Sequence, residues 1–130
     1  MIKKDFNAKN APSPVGSYPH SKRVGDFLFL SGIGPRNPSD DTVPKEFKDE
    51  CHSVFQNIKT ILKESGARWE DLVDVTVFLI NMKKDFDTFN SIYKEYFKDN
   101  KPCRTTVEIS SLPTSISIEL KCIAFVGENK

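Results

Sequence analysis

The chain has 130 residues, 19 basic against 18 acidic side chains and a net charge of +1. That balance gives no electrostatic case for nucleic acid or an anionic membrane as the main partner. The hydrophobic fraction is 38%, with ten Phe, so residues 1–130 read as one domain with a packed core of its own.

The N-terminal "MIKKDFNAKN" lacks the apolar centre of a signal peptide. No apolar run is long enough to span a bilayer. Cys51, Cys103 and Cys122 are odd in number, far apart and without a CxxC pair. This pattern fits a reducing compartment, and the expected location is cytoplasmic.

"NAPSPVGSYPH" is rich in Pro, Gly and Ser and reads as an irregular lead-in. "RVGDFLFLSGIG" reads as a hairpin, with a strand ending near Val24, a Gly25-Asp26 turn and a strand from Phe27 to Ser31. "PRNPSDDTVP" is a loop. Phe47, Cys51, Val54, Phe55, Ile58, Ile61 and Leu62 then recur at helical spacing and form one apolar stripe. Pro44 suits the first turn of that helix and Gly66 its C-terminal stop.

"LVDVTVFLI" is the next strand, with Val73, Val75, Val77 and Leu79 on one face. A second helix is expected from an N-cap at Asp85, turning Phe86, Phe89, Tyr93, Tyr96 and Phe97 inward. Two more strands follow, joined by "SSLPTS". The order β-β-α-β-α-β-β, with room for a short extra strand near Lys3 to Phe6, predicts an α+β fold: one sheet with both helices on one face. The other sheet face would stay uncovered and apolar, which predicts oligomerisation.

No histidine and cysteine group has metal-ligand spacing. Cys51 and His52 are adjacent on a helix, so their side chains diverge by about 100°. "GIG" at Gly32 is followed by Pro35 rather than a helix, so the dinucleotide-loop reading fails. The Ser31-Gly32 step is a strand-end turn, or a place where a ligand approaches the backbone closely. Tyr18 is a loop aromatic. Asn90 shares helical spacing with Phe86, Tyr93 and Phe97, which points it inward, either as a structural tie or as a ligand contact.

Arg104 and Glu119 are the charged residues that stand out in β-prone runs. Arg104, Thr106 and Glu108 project to one face of their strand, while Glu119 shares a face with Ser117 and Lys121. One reading is a solvated amphipathic sheet. The other is a carboxylate site, because the planar fork of arginine fits a carboxylate bidentately and a glutamate can carry a proton.

Together "APSPVGSYPHSKRVGDFLFLSG", "NIKTILKESGA", "DLVDVTVFLINMKKDFDTFNSIYKEYF", "PCRTTVEISSLP" and "SIELKCIAF" resemble the RidA (YjgF, reactive intermediate deaminase) superfamily over residues 11–126. The resemblance implies a chorismate-mutase-like fold and a homotrimeric barrel with three clefts between subunits. It also implies hydrolysis of enamine or imine intermediates to keto acids and ammonia without metal or organic cofactor. Arg104 would hold the substrate carboxylate and Glu119 would activate the attacking water. Tyr18, Ser31, Gly32 and Asn90 would line or brace the cleft.

Within the superfamily, "YPHSKRVGDFLFLSG", "PRNP", "RTTV" and "IELKCIAF" are similar to 2-aminomuconate deaminases. Broad-range members usually carry Cys two residues after the arginine. Here that residue is Thr106, which keeps a small hydrogen-bonding group but removes a thiol. Arg36, in the loop, would offer a second cation for a dicarboxylate such as 2-aminomuconate.

Overall fold

A computed structural model of the chain describes residues 2–127. The strands are β1 Lys3–Phe6, β2 Ser21–Val24, β3 Phe27–Leu30, β4 Leu72–Leu79, β5 Cys103–Glu108 and β6 Ile118–Phe125, and the helices are α1 Phe47–Glu64 and α2 Met82–Tyr96. The six strands form one sheet in the order β1-β2-β3-β6-β4-β5. The expected extra strand is therefore present as β1. Only β4 and β5 run parallel; α2 makes the crossover that a parallel pair requires.

Local chemistry sets the element ends. Gly66, just past α1, takes φ +79, the left-handed turn that favours glycine after a helix. The start of α1 differs from expectation. Glu46, in extended conformation, precedes the first helical residue Phe47, so Pro44 lies ahead of the helix rather than in its first turn. The start of α2 also differs. Asn81 is the N-cap and accepts a hydrogen bond from the Lys84 amide at 3.1 Å. Asp85 sits inside the first turn and is buried. Both Asn81 and Asp85 are good caps by residue type, and hydrogen bonding chose the earlier one.

One sheet face meets the helices. Leu28, Leu30, Val75, Val77, Leu79, Ile118, Leu120 and Cys122 are all fully buried there. Val73 does not join them. The pairing of β4 with β6 shifts register between Leu72 and Asp74, so Leu72 is buried and Val73 is 41% exposed. A bulge of this kind turns one side chain to the other face.

Phe55 of α1 is the centre of the helix layer. Its ring lies 4.4 Å from that of Tyr96, 6.1 Å from Phe97, 6.2 Å from Trp69 and 6.4 Å from Phe89. The opposite sheet face carries Phe27 and Phe29, which are 42% and 39% exposed, and Phe27 meets Phe125 edge-on at 5.4 Å. Among the described residues, no helix covers this face.

Truncating Phe55 to Ala removes the ring that joins α1 to α2. The expected loss of folding stability is about 3–5 kcal/mol. A urea titration reads it as a lower midpoint at unchanged slope.

Candidate functional site

The sequence-predicted residues fall into two groups. Arg104 begins the alternation of β5 and pairs in register with Val75, while Thr106 pairs with Val77. Val77 in turn pairs with Leu120, and Phe78 with Glu119. Directly paired residues share a face and neighbours alternate. Arg104 and Thr106 therefore lie on the helix-covered face at the sheet edge, and Glu119 lies on the open face. Within one chain the two charged residues are not brought together.

Arg104 rests on an aromatic shelf. Its guanidinium carbon is 4.7 Å from the centre of the Tyr93 ring, 5.6 Å from Phe89 and 5.9 Å from Phe86. All three rings come from α2, spaced three and four residues apart on one helix face. Cation–π contact suits a guanidinium that must be held flat without losing its charge. Nη1 donates to Asn90 Oδ1 at 2.9 Å. Asn90 itself is exposed, so the inward orientation expected from its spacing is not what occurs. It reaches Arg104 along the rim of the helix, which makes it a brace.

No carboxylate of the described residues pairs with Arg104. The guanidinium borders an open cleft of about 340 Å³, lined also by Asn90, Tyr93, Lys94, Lys101 and Pro102. Lys94 and Lys101 add positive charge, and no acidic residue lines the cleft. This favours an anionic ligand. These two lysines and Tyr93 were missed in the sequence. Tyr93 was readable there only as core, and the lysines only as exposed charges.

Burial pushes the Tyr93 phenol up to about 12, against the opposing pull of Arg104. Tyr93 Oη and Thr106 Oγ1 are buried without a hydrogen-bond partner among the described residues. Buried hydroxyls normally have partners.

The second group surrounds Glu119. Ile33 and Leu120 exchange backbone hydrogen bonds of 2.8 and 3.0 Å, which carries the Ser31-Gly32 step across the start of β6. Gly32 faces the carboxylate so closely that a Cβ there would lie 2.9 Å from Glu119 Cδ and 3.0 Å from each oxygen. Glycine lets the carboxylate lie against the backbone here, where any side chain would push its end aside. Burial raises the pKa of Glu119 above the ordinary carboxylate value. A carboxyl of that kind holds and releases a proton nearer neutrality than a surface glutamate does.

Ser31 Oγ donates to the Pro19 carbonyl at 2.7 Å and its amide donates to the His20 carbonyl at 3.0 Å. Tyr18 is 41% exposed, and its hydroxyl accepts from the Val15 amide at 3.3 Å. Tyr18, Ser31 and Gly32 line one pocket together with Pro12, Pro14 and His20. The remaining candidate, Arg36, is already engaged. It pairs with Asp41 at 3.0 Å and donates to the Ser13 carbonyl at 2.6 Å. Its charge is thus already met within the loop, away from the Arg104 cleft lining.

Two substitutions check this geometry. Gly32→Ala is expected to leave thermal stability nearly unchanged, because only a flexible side-chain end must give way, while displacing the Glu119 carboxylate. The readout is catalytic or ligand-binding loss without a fall in Tm. Glu119→Gln tests the proton. With a raised folded pKa, the unfolded chain ionises first as pH rises, so ionisation of Glu119 lowers stability on going from acid towards neutral pH. The Gln variant is expected to lose part of that decline in a series of pH-dependent melts.

Comparisons with known proteins place the chain in a family. A family model described as Endoribonuclease L-PSP matches residues 8–126. A RutC family protein of Pyrococcus abyssi is 40% identical over 126 residues, covering 96% of this chain and 98% of its own. The crystal structure of the yeast protein YEO7 has a TM-score of 0.92 at 33% identity, covering 95% of this chain and 98% of that one. Escherichia coli TdcF with bound serine has a TM-score of 0.90 at 29% identity, with 95% and 98% covered. With nearly its whole length matched by the family model and by a relative of 40% identity, this chain belongs to the Endoribonuclease L-PSP family, the family also called RidA, YjgF and RutC.

Proposed function

We propose that the protein hydrolyses an enamine or imine that carries a carboxylate, releasing a keto acid and ammonia, in a cleft shared between two copies of the chain. The observation that carries this reading is the division of the site. Arg104 is held ready with no carboxylate partner on one face, and Glu119 stands with a raised pKa on the other. A second copy packed on the uncovered sheet face, as in a homotrimer, would bring one copy's Arg104 opposite another's Glu119. The exposed Phe27 and Phe29 supply apolar surface for such packing.

The chemistry suits the groups present. An imine carbon is already electrophilic, so the protein needs orientation and proton transfer rather than a strong nucleophile. Arg104 would fix the substrate carboxylate. Glu119 would take a proton from water as the oxygen bonds to the imine carbon. The imine nitrogen would take that proton to give the carbinolamine, and would then take the hydroxyl proton, passed through Glu119, as the C–N bond breaks, the carbonyl forms and ammonia leaves. An enamine substrate first gains a proton at carbon to become the imine. The Gly32 backbone allows substrate and carboxylate to meet closely. Bound serine in TdcF is in keeping with an amino-acid-sized ligand. The resemblance of the sequence to 2-aminomuconate deaminases makes 2-aminomuconate the first substrate to try.

Ammonia release from enzymatically generated 2-aminomuconate, 2-iminopropionate and 2-iminobutyrate provides the assay. Arg104→Ala is expected to lower kcat/KM by about 2–5 kcal/mol, roughly thirtyfold to several thousandfold. Arg104→Lys should not rescue it, since a point charge cannot replace the planar fork. Coassembly of Arg104→Ala with Glu119→Gln chains should regain activity that neither variant has alone. If no substrate is turned over faster than in buffer, the deaminase reading fails. Carboxylate binding without turnover would leave a ligand-binding assembly instead, and cleavage of RNA would replace both readings.

A further inference from the structure

We propose that His20 is a positioning residue: a neutral, single-tautomer clamp that holds the lead-in segment as one wall of the Ser31-Gly32 pocket. Its kinetic consequence rests on the deaminase reading above, but its structural consequence does not.

The partners fix the tautomer. His20 is only 5% exposed. Nδ1 lies 2.8 Å from the Ala8 amide nitrogen, which can only donate, so Nδ1 is an unprotonated acceptor. Nε2 lies 2.7 Å from the Pro12 carbonyl oxygen, which can only accept, so Nε2 carries the hydrogen. Both contacts demand the same neutral form.

The clamp joins the pieces that line the pocket. Ala8, Pro12 and Tyr18 all lie in the segment between β1 and β2 that contains the lead-in. The His20 carbonyl accepts from the Ser31 amide at 3.0 Å, and the neighbouring Pro19 carbonyl accepts from Ser31 Oγ at 2.7 Å. One residue thus binds the lead-in through its ring and the Ser31-Gly32 step through its backbone. The segment has no helix or strand of its own between β1 and β2, so side chains must hold its backbone. Glu64 does part of this, accepting from the Lys9 amide at 2.8 Å and the Asn10 amide at 3.3 Å.

Charge would undo the clamp. A protonated Nδ1 would turn a second donor towards the Ala8 N–H. The contacts of the ring from the lead-in, Ala8 and Pro12, carry no titratable side chain, and the adjoining Ser21 hydroxyl is paired with Ser65 at 2.6 Å. From the end of α1, the Glu64 carboxylate is the charged group that interacts with the imidazole. The pocket wall therefore depends on the neutral form of the ring.

Glutamine can imitate the neutral ring, since its amide oxygen accepts, its amide nitrogen donates and it does not titrate. Nitrogen-15 NMR of the full chain is expected to show His20 as the Nε2–H tautomer alone. The Ala8 amide should exchange with solvent about tenfold faster or more in His20→Ala, in line with the loss of a buried hydrogen bond. In His20→Gln it should remain near the wild-type rate. In the ammonia assay, His20→Ala is expected to raise KM about tenfold with a smaller change in kcat, and His20→Gln to restore it. A mixture of tautomers, an Ala8 exchange rate unmoved by His20→Ala, or a Gln variant no better than Ala would each overturn the proposal. A wild type without turnover defeats the deaminase reading alone, because the tautomer and exchange measurements still decide the clamp.

Discussion

Successive side chains of a β-strand leave the backbone on opposite sides, and that alternation governs what this chain can do alone. The register from β5 through β4 to β6 is continuous, so the face of each residue follows from its pairing. Arg104 falls on the side of Val75 and Cys122, under α2. Glu119 falls on the side of Phe78, away from the helices. No rotamer change in either residue crosses a sheet. The proposed intersubunit cleft answers this constraint, and the apolar side chains left uncovered around β3 and β6 answer to the same packing.

The aromatic layer links stability to the site. Phe55 ties α1 to Tyr96, Phe89 and Phe97 of the α2 region, and the inner side of α2 is also the shelf beneath Arg104. The position of the guanidinium is therefore set by core packing, with Asn90 as a polar stop at its rim. On the other side Glu119 is placed by backbone pairing and by the missing side chain at Gly32. Upstream of it, the buried Glu50 of α1 accepts the Ser117 amide at 2.9 Å, securing the turn that leads into β6.

Much of the architecture was legible from periodicity. The apolar stripe from Phe47 to Leu62, the Gly25-Asp26 hairpin and the alternation of β6 translate directly into α1, β2-β3 and the core face. Errors gathered at ends and irregularities. Asp85 and Asn81 are both cap-forming residues, and the choice between them depends on which one meets a free amide. Val73 was expected inward, and a one-residue bulge reversed it. Asn90 shares helical spacing with core aromatics, yet a hydrogen bond to Arg104 holds it at the surface. Arg36 was read as a second cation for substrate, and the fold gives it a loop partner, Asp41, that spacing alone does not reveal.

The sequence by itself determined which chemical groups are available: an arginine in "PCRTTVEI", a glutamate in "SIELKC", a Ser-Gly step and a proline-rich lead-in around His20. It also determined the family, because those groups occur together in a recognisable order. Only the tertiary structure decided that Arg104 and Glu119 stand on opposite faces, that Lys94 and Lys101 join Arg104 around a cleft lined by no acidic residue, and that the His20 ring bridges Ala8 and Pro12. The physical reason is that residue type fixes what a group can donate, accept or carry, whereas strand register and long-range packing fix which groups it meets.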